Sequence, residues 1–142
     1  MKTIFTLTGI LFFTNVIGQN LRDHRWKNRI FIVQTSDAFS DKYQVQMKEF
    51  IDMNNELKER KLVIYEIVGD NYKMTNYHNK NSSNSWKMAS EIIGDLLNRK
   101  DEFRVVLMGL DGGVKFDRTS VLKRKELFNI IDSMPMRMNE IR

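Results

Sequence analysis

Residues 30–68 read IFIVQTSDAFSDKYQVQMKEFIDMNNELKERKLVIYEIV, and this stretch decides the fold. The run at 30–33 is apolar and rich in β-branched residues, as expected of a buried strand. Residues 34–41 (QTSDAFSD) turn to loop chemistry, with several side chains suited to capping a helix start. From 42 to 61 the period becomes helical, with Tyr43, Met47, Phe50, Ile51 and Leu57 on one face. Lys48, Asp52, Glu56 and Glu59 fall elsewhere, which predicts one amphipathic helix. Residues 62–68 form a second continuous apolar run, stopped by Gly69 and Asp70. Strand, crossover helix and strand make a parallel unit, nearly always right-handed.

Downstream, residues 71–85 (NYKMTNYHNKNSSNS) are polar and rich in asparagine and serine, and they read as a long surface loop. Trp86, Ala89, Ile92, Ile93, Leu96 and Leu97 then mark an amphipathic helix ending near Lys100. Residues 103–110 (FRVVLMGL) predict a third strand. Asp111-Gly112-Gly113 is hairpin chemistry, so residues 114–116 return antiparallel. A last helix begins near Leu122, carries Leu127, Phe128, Ile130 and Ile131 inward, and is expected to end at Pro135. The order β-α-β-α-β-β-α predicts an α/β, thioredoxin-like fold, with a mixed central sheet and helices on both faces.

The chain's 142 residues suit one domain with a single core. Upstream of that domain lies MKTIFTLTGILFFTNVIGQN, where Lys2 precedes an apolar run and Val16 and Gly18 put small residues at the −3 and −1 positions of a cleavage site before Gln19. That is the layout of a signal peptide over residues 1–18, leaving 19–142 as the exported domain, with its core at about 26–137. The run is short for a membrane span, which takes about 20 residues. The expected location is periplasmic or extracellular, with no membrane span in the mature protein. Loss of Lys2 takes the net charge from +5 to +4. A modestly basic exported protein suits acidic surfaces or anionic ligands, although such a charge also serves solubility alone. No lysine and arginine block argues for nucleic acid. There is no cysteine, which removes disulfides, thiolate catalysis, zinc–thiolate sites and iron–sulfur clusters. Nothing calls for a cofactor.

Four segments carry a family resemblance: RWKNR at 25–29, the strand at 63–70 ending in Val-Gly-Asp, VVLMGLDGGVK at 105–115, and the closing 126–137, ELFNIIDSMPMR. Together they resemble the domain of unknown function 4174 family, over roughly residues 22–142. The resemblance implies a thioredoxin-like fold and an extracytoplasmic location. The family's domain occurs alone in exported bacterial proteins and within animal extracellular proteins that carry sushi repeats or associate with the matrix. It brings no catalytic residues to carry over.

A redox thioredoxin needs a thiolate just after the first strand. Here that region holds Ser36, Asp37, Ser40 and Asp41, so there is no redox motif, and the sole proline, Pro135, lies far downstream. These four side chains suit helix capping, or alternatively a cation or a serine nucleophile. A serine nucleophile needs a base, and nothing places His24 or His78 beside it. Neither histidine has metal-ligand spacing to the other. No catalytic or metal-binding residue is assigned.

A basic cluster, Lys115, Arg118, Lys123, Arg124 and Lys125, gathers at the hairpin exit and the start of the last helix. Cations in a first turn oppose the helix dipole, and such a conflict marks either an anion site or a solvated face. The turn 134–137, with Trp26, reads as packing with Arg137 paired to Asp132, or as a Met/Trp surface for a partner. These readings support a non-catalytic binding or interaction module whose partner is an unknown extracytoplasmic protein or an anionic ligand. The alternative is an enzyme or anion-binding protein using the basic cluster.

Overall fold

The computed structural model describes residues 21–78, 85–88 and 101–142. It shows a mixed α/β domain built on one six-stranded sheet. The strands are β1 (Arg29–Thr35), β2 (Leu62–Val68), β3 (Asn71–Asn76), β4 (Lys87–Met88), β5 (Phe103–Met108) and β6 (Val114–Arg118). Their order is β4-β3-β2-β1-β5-β6. β1 pairs parallel with β2, from Arg29↔Leu62 to Thr35↔Val68. Its other edge pairs antiparallel with β5, Phe31 facing Leu107.

The continuous apolar runs follow from that placement, because β1 and β2 have core on both faces. On one face Phe31, Val33, Leu62, Ile64, Phe103, Val105 and Leu107 pack with Tyr43, Phe50, Leu57, Leu122, Leu127 and Ile131. These last six come from or beside helices α1 (Asp41–Lys48), α2 (Asn54–Glu59) and α3 (Arg124–Asp132). On the other face Ile30, Ile32, Val63, Tyr65, Ile67, Tyr72, Met74, Val106 and Met108 form a second cluster with Leu21. The four strands β2-β1-β5-β6 are compatible with the expected thioredoxin-like order.

Three expectations are corrected. The single helix over 42–61 is two short helices, α1 and α2. Between them Asp52 takes a left-handed φ of 60°, a conformation aspartate tolerates better than most residues. The break leaves Ile51 exposed, while Tyr43, Phe50 and Leu57 stay buried.

The first part of the expected loop at 71–85 is instead β3, paired antiparallel to β2 through a two-residue turn, Gly69-Asp70. Gly69, at φ 56°, supplies the positive dihedral that the turn's first position needs. Tyr72 and Met74 point into the second core cluster at strand spacing, and the polar residues between them hid the pattern. Lys87 and Met88, expected to open a helix, pair with β3 as β4. The remainder of that expected helix, 89–100, lies outside the described residues.

Pro135 ends α3 as expected, but it also starts α4 (Pro135–Ile141) from the first helical position. Proline suits that position because its missing N–H would have no helical partner there.

A buried polar clamp fixes α3 to α1. Gln46 has no exposed surface. Its Nε2 donates to the Leu122 carbonyl at 3.0 Å, and its Oε1 accepts from the Leu122 N–H at 2.8 Å. The segment entering α3 lacks sheet or helix partners at this point, so one side chain satisfies both of its buried backbone groups.

The lead-in before β1 is a 3₁₀ turn, Leu21–His24, that sets His24 against Tyr65. His24 Nε2 lies 2.7 Å from the Tyr65 hydroxyl, and Nδ1 lies 3.2 Å from Asn28 Oδ1. The set closes when Nδ1–H donates to Asn28 and Nε2 accepts from the tyrosine. Burial pushes the His24 pKa below its ordinary 6.5, against the opposing effect of the Asn28 bond.

The domain should therefore lose stability on acidification in two stages. His24 folds neutral, so its contribution is complete above pH 6.5 and is lost as pH falls towards its lower folded value. Two carboxyls follow, Asp132 at the end of α3 and Glu140 on α4. Burial raises the Asp132 carboxyl, but bonds from Arg60 and Arg137 outweigh it and hold it below the ordinary range. Burial likewise raises Glu140, and Arg29 and Lys61 bring it below. A folded pKa lowered in this way gives stability that is present above the unfolded carboxyl range and lost as pH falls through the folded one. Melting temperature against pH measures this. His24→Gln should flatten the slope between about pH 7 and pH 5 while leaving the lower stage intact, and an unchanged slope refutes the assignment.

Candidate functional site

The carboxyl end of β1 opens into a cleft of about 380 Å³. Ser36, Asp37, Ser40, Asp41 and Lys42 line one side, and Glu102 and Phe103 line the other. This is the end of an open sheet where α/β folds place ligands, beside the strand from which the chain departs in two directions.

Local hydrogen bonds build the loop. Thr35 Oγ1 donates to the Asp37 carbonyl at 2.9 Å, and the Ser36 N–H reaches the Glu102 carbonyl at 3.1 Å. Asp37 Oδ1 accepts from the Phe39 N–H at 2.9 Å, an Asx turn of the kind aspartate favours. Ser40 is the N-cap of α1, its Oγ accepting from the Tyr43 N–H. Of the four loop residues the sequence singled out, Ser40 and Asp37 thus hold local structure. Among the described residues, no hydrogen bond engages the carboxylates of Asp41 and Glu102.

The loop presents one feature that the sequence reading passed over. Phe39 is 87% exposed, more than any other large apolar side chain described. A large aromatic flanked by capping residues in a polar loop was the available signal. Its N–H is bonded to Asp37 Oδ1, and the ring projects into solvent from the loop whose polar residues line the cleft. Neither histidine approaches: His24 is buried against Tyr65, and His78 is exposed beyond β3. Among the described residues no group of three histidine or carboxylate side chains converges as a metal site.

The basic cluster is largely paired within the chain. Lys115 contacts Asp111 at 2.8 Å, Arg118 contacts Glu126 at 3.1 Å, and Lys123 contacts Glu49 at 3.2 Å. Glu49 Oε2 also accepts from the Arg124 N–H at 2.9 Å. The N-terminus of α3 therefore does hold an anion, and that anion is the chain's own Glu49 carboxylate. Burial raises this carboxyl, but the bonds from Arg124 and Lys123 bring it below its ordinary value, as expected at a positive helix end. Arg124 and Lys125 are exposed.

The closing segment is tied down by charge. Arg137 is buried, with Nε to Asp132 at 3.2 Å, Nη2 to Glu59 at 2.6 Å and Nη1 to the Glu59 carbonyl at 3.2 Å. Arg60 bonds Asp132 at 2.7 Å, its guanidinium 4.2 Å from the centre of the Phe128 ring. The expected Arg137–Asp132 pair is present. Met134 packs on the core, whereas Trp26 and Met136 are exposed.

The architecture defines a mixed α/β domain with a polar cleft and a projecting aromatic at one end of its sheet. The sequence matches the family described as a domain of unknown function (DUF4174) over residues 20–140, and the chain belongs to that family. No curated protein and no solved structure matches it. No helix among the described residues is long and apolar enough to cross a membrane.

Proposed function

We propose that this chain is an exported, non-catalytic binding module of thioredoxin-like fold, and that it engages a partner at the carboxyl end of β1. The observation that carries this reading is Phe39, 87% exposed on a hydrogen-bonded loop beside a cleft of about 380 Å³. An exposed aromatic ring buries much area on contact, and such residues are enriched among those that carry binding energy. The cleft's Ser40 hydroxyl and Asp37 carboxylate already serve the loop itself, which favours recognition over a reaction there. Export rests on the signal-peptide pattern of residues 1–18. The anion-binding alternative has weaker support, since three of its five cations already meet carboxylates of the same chain.

The test is site-specific photocrosslinking in the native cell. A benzophenone amino acid at position 39 should yield a discrete adduct, and the same group at Lys58, exposed on α2, should not. Absence of any adduct from position 39, or equal labelling from both positions, overturns the reading.

A further inference from the structure

We infer that the place beneath α4 held by the Glu140 carboxylate is an anion site, and that its ligand is a phosphate, free or as an ester. Glu140 is a built-in competitor for that place. The site lies at the start of β1, a strand's length or about 20 Å from the cleft at its carboxyl end. It is also separate from the exposed basic cluster at the start of α3. Glu140 Oε2 lies 3.2 Å from Arg29 Nη1, and Oε1 lies 3.3 Å from Lys61 Nζ. Among the described residues this is the sole carboxylate that either cation meets, so two positive charges share one negative charge. Arg137 adds a third cation, its Nη1 3.4 Å from Oε2. A divalent anion balances that group better than a carboxylate does.

Arg29 carries the second observation. It is fully buried, yet its Nε and Nη2 have no partner among the described residues. That edge of a guanidinium is the one that grips an oxyanion through two parallel bonds. Buried donors are nearly always satisfied, and a tetrahedral oxyanion brings more acceptor oxygens than the carboxylate it replaces. Entry requires Glu140 to swing away, and α4 is built to allow it. The helix has one buried residue, Arg137, while Met138 and Ile141 are exposed. Lifting its last turn therefore uncovers little apolar surface and breaks chiefly the Glu140 contacts. Arg137 stays in place, held by Glu59 and Asp132.

The purified protein is titrated with sodium phosphate, and separately with sodium chloride at matched ionic strength, while melting and amide exchange are followed. Phosphate should raise the melting temperature beyond any effect of chloride, and exchange at residues 138–141 should accelerate as Glu140 is released. Glu140→Gln should melt below the parent without phosphate, yet bind phosphate about tenfold more tightly, because the tethered competitor is gone. A merely structural ion pair does not produce those opposite effects. Arg29→Lys keeps the charge without the two-pronged edge and should weaken phosphate binding about tenfold. Should that variant fail to fold, the Glu140→Gln titration decides. Lys125→Gln, in the exposed cluster, should leave binding unchanged. Methyl phosphate run beside the inorganic ion separates the sources, the tighter binder of the two naming the ester or the free anion. Equal responses to phosphate and chloride, unchanged or weaker binding in Glu140→Gln, or loss of binding in Lys125→Gln overturns the inference.

Discussion

Gln46→Leu should lower the unfolding free energy by about 3 kcal/mol, and the melting temperature by about 10 °C. The leucine side chain fills the space, so the loss is not one of packing. It comes from the Leu122 N–H and C=O, whose only hydrogen bonds among the described residues are to the Gln46 side chain. Each buried backbone group left unpaired costs about 1–3 kcal/mol, more than the net value of the bond it had. Because the residue is fully buried, water does not reach in to replace the amide without opening the α1–α3 contact. Lys48→Leu, on the exposed side of the same helix, should change stability by no more than about 0.5 kcal/mol. Urea unfolding of both variants checks the claim, and a loss under about 1 kcal/mol for Gln46→Leu would show that the clamp is dispensable.

The second large effect separates two buried arginines that look alike by burial. Arg137→Met should destabilise by about 3 kcal/mol, the cost of breaking a buried ionic cluster from one side. All three guanidinium nitrogens of Arg137 are engaged, by Glu59, Asp132 and Glu140. Arg29, with no exposed surface, bonds through Nη1 alone, to the Arg60 carbonyl and Glu140. Its Nε and Nη2 are buried without a partner among the described residues. Those two groups carry a desolvation cost that methionine does not, which offsets part of what Arg29→Met removes. Arg29→Met should therefore cost at least about 1 kcal/mol less than Arg137→Met. Equal losses in parallel denaturation curves would contradict the distinction.

The legible parts of the fold are those where local and tertiary demands coincide. β1 and β2 are apolar because both faces are covered, so their runs announce both strand and burial. The Asp111-Gly112-Gly113 turn is legible because positive φ at Gly112 is a local requirement. β3 was not legible: only Tyr72 and Met74 face the core, and Asn71, Lys73 and Asn76 outvote them in any composition window. The break after α1 was hidden for another reason. Glu49 reads as one more helical residue, yet its carboxylate is committed to α3, far along the chain.

The candidate site shows the same division. The capping role of Ser40 follows from residue type and position. The pairing of the basic cluster does not, because the partner of Lys123 is Glu49, just past the end of α1, which no spacing rule connects to it. Glu102 escaped notice because only the closure of β5 against β1 brings it opposite Ser36.

The central place of β1 also dictates the order in which the chain can assemble. Its parallel neighbour β2 follows soon after in sequence, but its antiparallel neighbour β5 does not arrive until Phe103. Until then this fully buried strand has one bare hydrogen-bonding edge. Pairing over so long a loop is entropically late, which slows folding in proportion to the separation of the contacts. The strand that begins the sheet is thus completed only near the end of folding, and in that interval it is the segment most open to pairing with another chain.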